Sequence, residues 1–142
     1  MSKFKFSEPI LIALSGLCAL AIAMGIGRFS FTAILPLMQS EGKISLANGG
    51  LLASANYIGY FVGALLSSRL HLKSITQLLL GISLVISTTF LMGLINDLNS
   101  WLLLRFISGS GSALVLVSTS ALCVSRLVKL QKSYLAGIVF TG

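Results

Sequence analysis

Acidic residues are nearly missing from this chain. Glu8, Glu41 and Asp97 are the only carboxylates in 142 residues, and each falls at a helix end or in a connection. No carboxylate therefore stands inside an apolar run, where the proton-binding group of a driven transporter is usually found. The single histidine, His71, lies in a connection with no acid beside it, so no Ser-His-Asp arrangement is assembled. No enzyme activity, cofactor or metal site is expected. The two cysteines, Cys18 and Cys123, stand among Leu, Ala and Val and read as small packing residues, without a disulfide or redox signal. Charge of either sign is scarce: 9% of residues are charged, against ~25% in soluble domains. With 56% hydrophobic residues and a mean hydropathy of +1.00, a soluble domain is excluded.

What the chain has in quantity is long apolar runs, at about 10–37, 45–67, 74–95 and 101–125. At ~1.5 Å of rise per residue, each is long enough as a helix to cross a hydrocarbon core ~30 Å thick. A fifth run starts at Tyr134 and has nine residues through Gly142. That is ~14 Å of helix, so the chain is expected to be cut off inside a fifth span. The connections are short and contain no nucleotide or metal motif. The expected fold is all-α, a polytopic membrane helix bundle over residues 1–142 with neighbouring helices antiparallel and no soluble domain.

The net charge of +7 is sorted as a bilayer sorts it. Lys3 and Lys5 precede the first run, Arg69, His71 and Lys73 follow the second, and Arg126, Lys129 and Lys132 follow the fourth. The opposite connections hold only Lys43. The positive-inside bias puts the N-terminus in the cytoplasm. These bases form no stripe with interleaved aromatics, so the expected partner is a lipid bilayer and not nucleic acid. The first run is too long for a signal-peptide core, contains Arg28 and lacks a cleavage site, so it reads as a retained helix.

Helices in lipid associate through close backbone approach at small residues. Ser15, Ala19, Ala23 and Gly27 recur at four-residue spacing in the first run. Ala55, Gly59, Gly63 and Ser67 do so in the second, where Gly59 and Gly63 form a GxxxG pair. Two arginines interrupt the apolar pattern. An arginine at the centre of a span costs ~2.5–3.5 kcal/mol on insertion scales, so it snorkels or faces water or protein. Arg28, in "MGIGRFSFTAILPLM", is either an interfacial anchor or a cavity residue, and Pro36 lies late enough to spare the middle of the helix. Arg105 follows Trp101, a candidate headgroup-level anchor, by four residues and has the same two readings. Gly109 and Gly111 leave room beside Arg105 for another helix, a carbonyl or an anionic solute. Asn56, Tyr57 and Tyr60 add polar groups that serve either a cavity or interhelical hydrogen bonds; Asn56 and Tyr60 share a face.

In this order the features resemble the N-terminal part of a major facilitator superfamily transporter, and "GIGRF" with "ASANYIGY" is similar to its bacterial YbfB/YjiJ branch. The resemblance covers essentially the whole chain and implies the first four of twelve spans and the start of a fifth. The superfamily's loop motif after the second span is met by Gly63, Leu65, Arg69 and Lys73. Ser67 stands where an aspartate is usual, and Leu70 where a second glycine is. Arg105, Gly109 and Gly111 match the fourth-span motif. The resemblance implies a small-molecule solute moved across a bacterial cytoplasmic membrane by alternating access. It makes Arg105 a candidate for coupling to a proton or to substrate-linked rearrangement, and puts Arg28 and Arg105 beside a central cavity completed by the C-terminal helices of the same transporter. Two other readings stay open. One is a stand-alone four-helix membrane protein that oligomerises through its small-residue faces as a scaffold or accessory subunit. The other is a four-helix multidrug transporter, whose membrane glutamate this chain lacks.

Overall fold

A computed structural model describes residues 7–70 and 72–141. Lys3, Lys5 and His71, used above for the charge bias, lie outside the described residues, as does Gly142. Helix α1 runs Glu8–Ser40, α2 Leu46–Arg69, α3 Ser74–Leu94 and α4 Leu98–Lys129. A 3₁₀ turn, Ser133–Leu135, leads into a short α5, Ala136–Val139. The first four, of 33, 24, 21 and 32 residues, are long and apolar enough to cross a bilayer. The chain is an all-α membrane helix bundle.

Local chemistry sets the helix ends. Pro9 sits in the first turn of α1, where its missing N–H costs nothing. That helix stops at Glu41, and Gly42 takes φ +69°, a left-handed turn that suits glycine. Ser45 caps α2 by accepting the Asn48 N–H at 3.1 Å. Asp97 caps α4, accepting both the backbone N–H and the hydroxyl of Ser100 at 2.9 Å. Those bonds, the backbone one first, hold the Asp97 carboxyl below its ordinary value of 3.8. A lowered native value means the cap is complete above the unfolded-state pKa and is lost as pH falls through the native one.

Helix α4 is the centre of the bundle and packs on α1, α2 and α3, running parallel to α2 and antiparallel to the other two. Gly59 and Gly63 of α2 lie against the backbone of Phe106 and Ser110, and Gly109 of α4 against that of Asn56. Gly81 of α3 meets Gly111, and Gly27 of α1 meets the Val85 side chain. With so little apolar driving force in lipid, such backbone approach is what joins the helices.

The face that α1 buries is Ala13, Gly16, Leu20, Ala23 and Gly27. This corrects the expected stripe: Ser15 is exposed and Gly16 takes its place, packed against Cys123 and Val139. Strict four-residue spacing drifts by about 40° per turn in an α-helix, so it cannot hold one line from Ser15 to Gly27. The interval of four holds from Ala23 through Gly27 to Phe31 because Ala21–Phe29 is a π-helical segment, with more residues per turn. Cys123 packs as expected, whereas Cys18 is exposed. Pro36 lies inside α1, which continues to Ser40.

Candidate functional site

The π segment presents Arg28 toward α2. Its guanidinium carbon lies 4.5 Å from the centroid of the Tyr57 ring and 5.2 Å from that of Tyr60. Tyr57 is 58% exposed, while Arg28 and Tyr60 are half-buried. The two tyrosines, three residues apart, lie on one face of α2 and form an aromatic clasp for the cation. Helices α1 and α2 are tied together at the Lys43 end by the short Glu41–Ser45 connection and by Leu35 against Gly49. Beyond that tie each packs mainly on α4, which leaves a groove between them in which Arg28 sits.

Arg105 occupies a different place. It is 3% exposed, donates through Nη1 to the Gly27 carbonyl at 3.2 Å, and lies 3.9 Å from the centroid of the Phe31 ring. It is enclosed by protein and does not snorkel. Its Nε has no hydrogen-bond partner among the described residues. Asn56 does not join the Arg28 group. Buried to 4%, it donates Nδ2 to the Arg105 carbonyl at 3.0 Å and locks α2 to α4. The two arginines are therefore coupled through α1: Gly27 holds one, and the next residue is the other.

Arg105 also lines a cavity of about 300 Å³ between α1, α3 and α4, with Phe31, Met38, Thr89, Asn96 and Trp101. Trp101 departs from its expected role as a headgroup-level anchor. It is 7% exposed, donates Nε1 to the Ile95 carbonyl at 2.6 Å and packs in a cluster with Phe31, Ile44 and Leu52. Lys43, on the rim, is paired with Glu41 at 2.6 Å.

At the opposite, basic end, Gly63 belongs to the α2–α4 crossing, while Arg69 and Lys73 are exposed on either side of the α2–α3 connection. Ser67, in the position where the superfamily motif has an acid, donates to Gln77 Oε1 at 2.9 Å. Gln77 Nε2 returns bonds to the carbonyls of Ser67 (3.3 Å) and Leu70 (3.2 Å). A neutral clamp thus closes the end of α2. Nothing in the sequence marks Gln77, because the superfamily motif points to a charge at Ser67 and not to an amide ten residues on. Gln77→Leu leaves the buried Ser67 hydroxyl and two carbonyls short of a partner, which costs about 1–3 kcal/mol. Faster tryptic cleavage at Arg69 and Lys73, with a lower unfolding temperature, is the expected result; unchanged cleavage would show that the clamp does not hold the connection.

Four membrane-length helices, with one guanidinium enclosed among them and a second half-buried between two of them, define a multi-pass membrane protein. A family model described as "Uncharacterised MFS-type transporter YbfB" matches residues 20–142, and the chain belongs to that family of major facilitator transporters. It is similar to "Uncharacterized MFS-type transporter YceJ" of Bacillus subtilis (strain 168), at 32% identity over 96 residues. The match takes in 65% of this chain and 24% of that protein, so the chain spans about a quarter of the relative's length. No solved structure matches it.

Proposed function

We propose that the chain supplies one wall of the solute pathway in a secondary transporter that moves a small solute across the bacterial cytoplasmic membrane by alternating access. The observation that carries the reading is Arg28, a cation at membrane level held by two tyrosine faces in a groove and not by an acid. Its insertion cost is acceptable where the groove is wet or holds solute. The charge bias puts the basic end, with the N-terminus, in the cytoplasm. The matched segment is 24% of YceJ, which supports a facing wall made by further helices of the same transporter, where any coupling proton would find its carboxylate. No catalytic role is proposed for any side chain.

The scaffold reading has less support. Its GxxxG pair is consumed inside the chain, since Gly59 and Gly63 face α4 and not a neighbouring molecule.

The test is Arg28→Ala in the transporter translated from the complete reading frame, measured on the solute whose cellular level changes with its expression. Uptake or efflux is expected to fall at least tenfold at an unchanged membrane level. Wild-type transport by this variant would overturn the reading.

A further inference from the structure

We propose that the Arg28 groove recognises a small monocarboxylate with an apolar body; this rests on the transport reading for movement of the solute, but not for its binding. The clasp decides the geometry. A guanidinium stacked on aromatic rings uses its faces, while its five N–H donors lie in its plane and point past the ring edges. The arginine hydrogen bond among the described residues is that of Arg105 to Gly27; Arg28 makes none, and the one ion pair there joins Lys43 to Glu41. Arg28 is thus held over the two rings with its N–H donors unused among the described residues. A planar fork of N–H donors matches the two oxygens of a carboxylate in a bidentate pair.

Charge and shape narrow the class. Among the described residues the groove offers one cation, because Arg105 is turned into the protein against Gly27 and Phe31. A single positive charge balances a monoanion, whereas a phosphate dianion would remain half-neutralised. The walls are the rings of Tyr57 and Tyr60, apolar faces with a phenol at the rim, against which a hydrocarbon or aromatic body fits. A cationic solute would meet Arg28 directly, with none of the three acids in the groove to offset it: Glu8 and Glu41 lie at opposite ends of α1, and Asp97 caps α4.

The experiment is thermal unfolding of the purified full-length transporter in detergent with benzoate, benzamide, benzylamine or inorganic phosphate at matched ionic strength. Benzoate is expected to raise the unfolding temperature saturably, and the other three to leave it unchanged. Arg28→Gln should abolish the benzoate shift. Arg28→Lys, which keeps the charge but loses the fork, should need at least tenfold more benzoate and guards against a misfolded glutamine variant. The proposal is overturned by no benzoate shift, by an equal shift with benzamide or benzylamine, by a larger one with phosphate, or by a benzoate shift that survives Arg28→Gln. A benzoate shift without transport of any solute would leave this inference standing and remove the transport reading. Arg28-dependent transport of an amine or a neutral solute would do the reverse.

Discussion

Gly59→Val is expected to prevent stable folding, and Gly109→Val to do the same. A Cβ on Gly59 falls on the Phe106 carbonyl oxygen, with that residue's C and Cα at 2.7 and 2.9 Å. A Cβ on Gly109 falls on the Asn56 carbonyl oxygen, with the Tyr60 N at 2.9 Å. These obstacles are backbone, which cannot rotate away as a side chain can, so the helices must separate. Separation breaks the bond from Asn56 to the Arg105 carbonyl at 3.0 Å and that from the Ser110 hydroxyl to the Gly59 carbonyl at 2.9 Å. Overpacking costs ~1–3 kcal/mol where neighbours can shift, and more where they cannot. A loss of about 3 kcal/mol lowers the folded-to-unfolded ratio more than a hundredfold. Gly50 and Gly93 are the controls, because a Cβ there meets open space. Membrane yield and thermal unfolding in detergent of the four valine variants check the prediction. If Gly59→Val and Gly109→Val behave like Gly50→Val, the crossing is not as close as described.

The small-residue stripes of α2 and α1 show what could be read in advance. In α2 the expected stripe Ala55, Gly59, Gly63, Ser67 drifts as well: Gly59, Gly63 and Ser67 are buried against neighbours, but burial passes from Ala55 to Asn56. In α1 a stripe of the same spacing and length shifts its burial from Ser15 to Gly16 before the π segment restores the four-residue interval. Nothing in "AIAMGIGRF" marks that widening beyond its glycines. The arginines stand out in any apolar sequence. Their partners do not, since Phe31 looks like one more lipid-facing residue until α4 places Arg105 over it. Nor does spacing reveal that Asn56 turns toward α4 while Tyr57 and Tyr60 turn toward Arg28. A face shared at four residues still spans enough arc to meet two different helices.

Arg105→Met is expected to fold as well as the native chain and to transport at least a hundredfold more slowly. Holding an arginine here costs ~2.5–3.5 kcal/mol on insertion scales. Against that stand a charged hydrogen bond to the Gly27 carbonyl, worth ~1.5–3 kcal/mol, and the Phe31 face, worth ~0.5–2 kcal/mol. The Nε is left without a partner. These magnitudes nearly cancel, so the guanidinium contributes little net stability, and methionine fills much the same space without the cost of burying a charge. What the arginine does supply is a link. It joins α4 to Gly27, whose neighbour is Arg28, so on the proposed transport reading displacement of Arg28 by a solute would reach α4 through one residue of backbone. Lysine cannot replace it, because a point charge lacks the plane that lies over Phe31 while donating to Gly27. Arg105→Lys should therefore transport as poorly as Arg105→Met. Membrane level, unfolding temperature and transport rate, measured together, separate the possibilities. Failure of the methionine variant to fold would make Arg105 a structural brace, and native transport by it would remove the link from the mechanism. A well-folded, inactive variant would show that this charge is kept in the bundle for motion and not for stability.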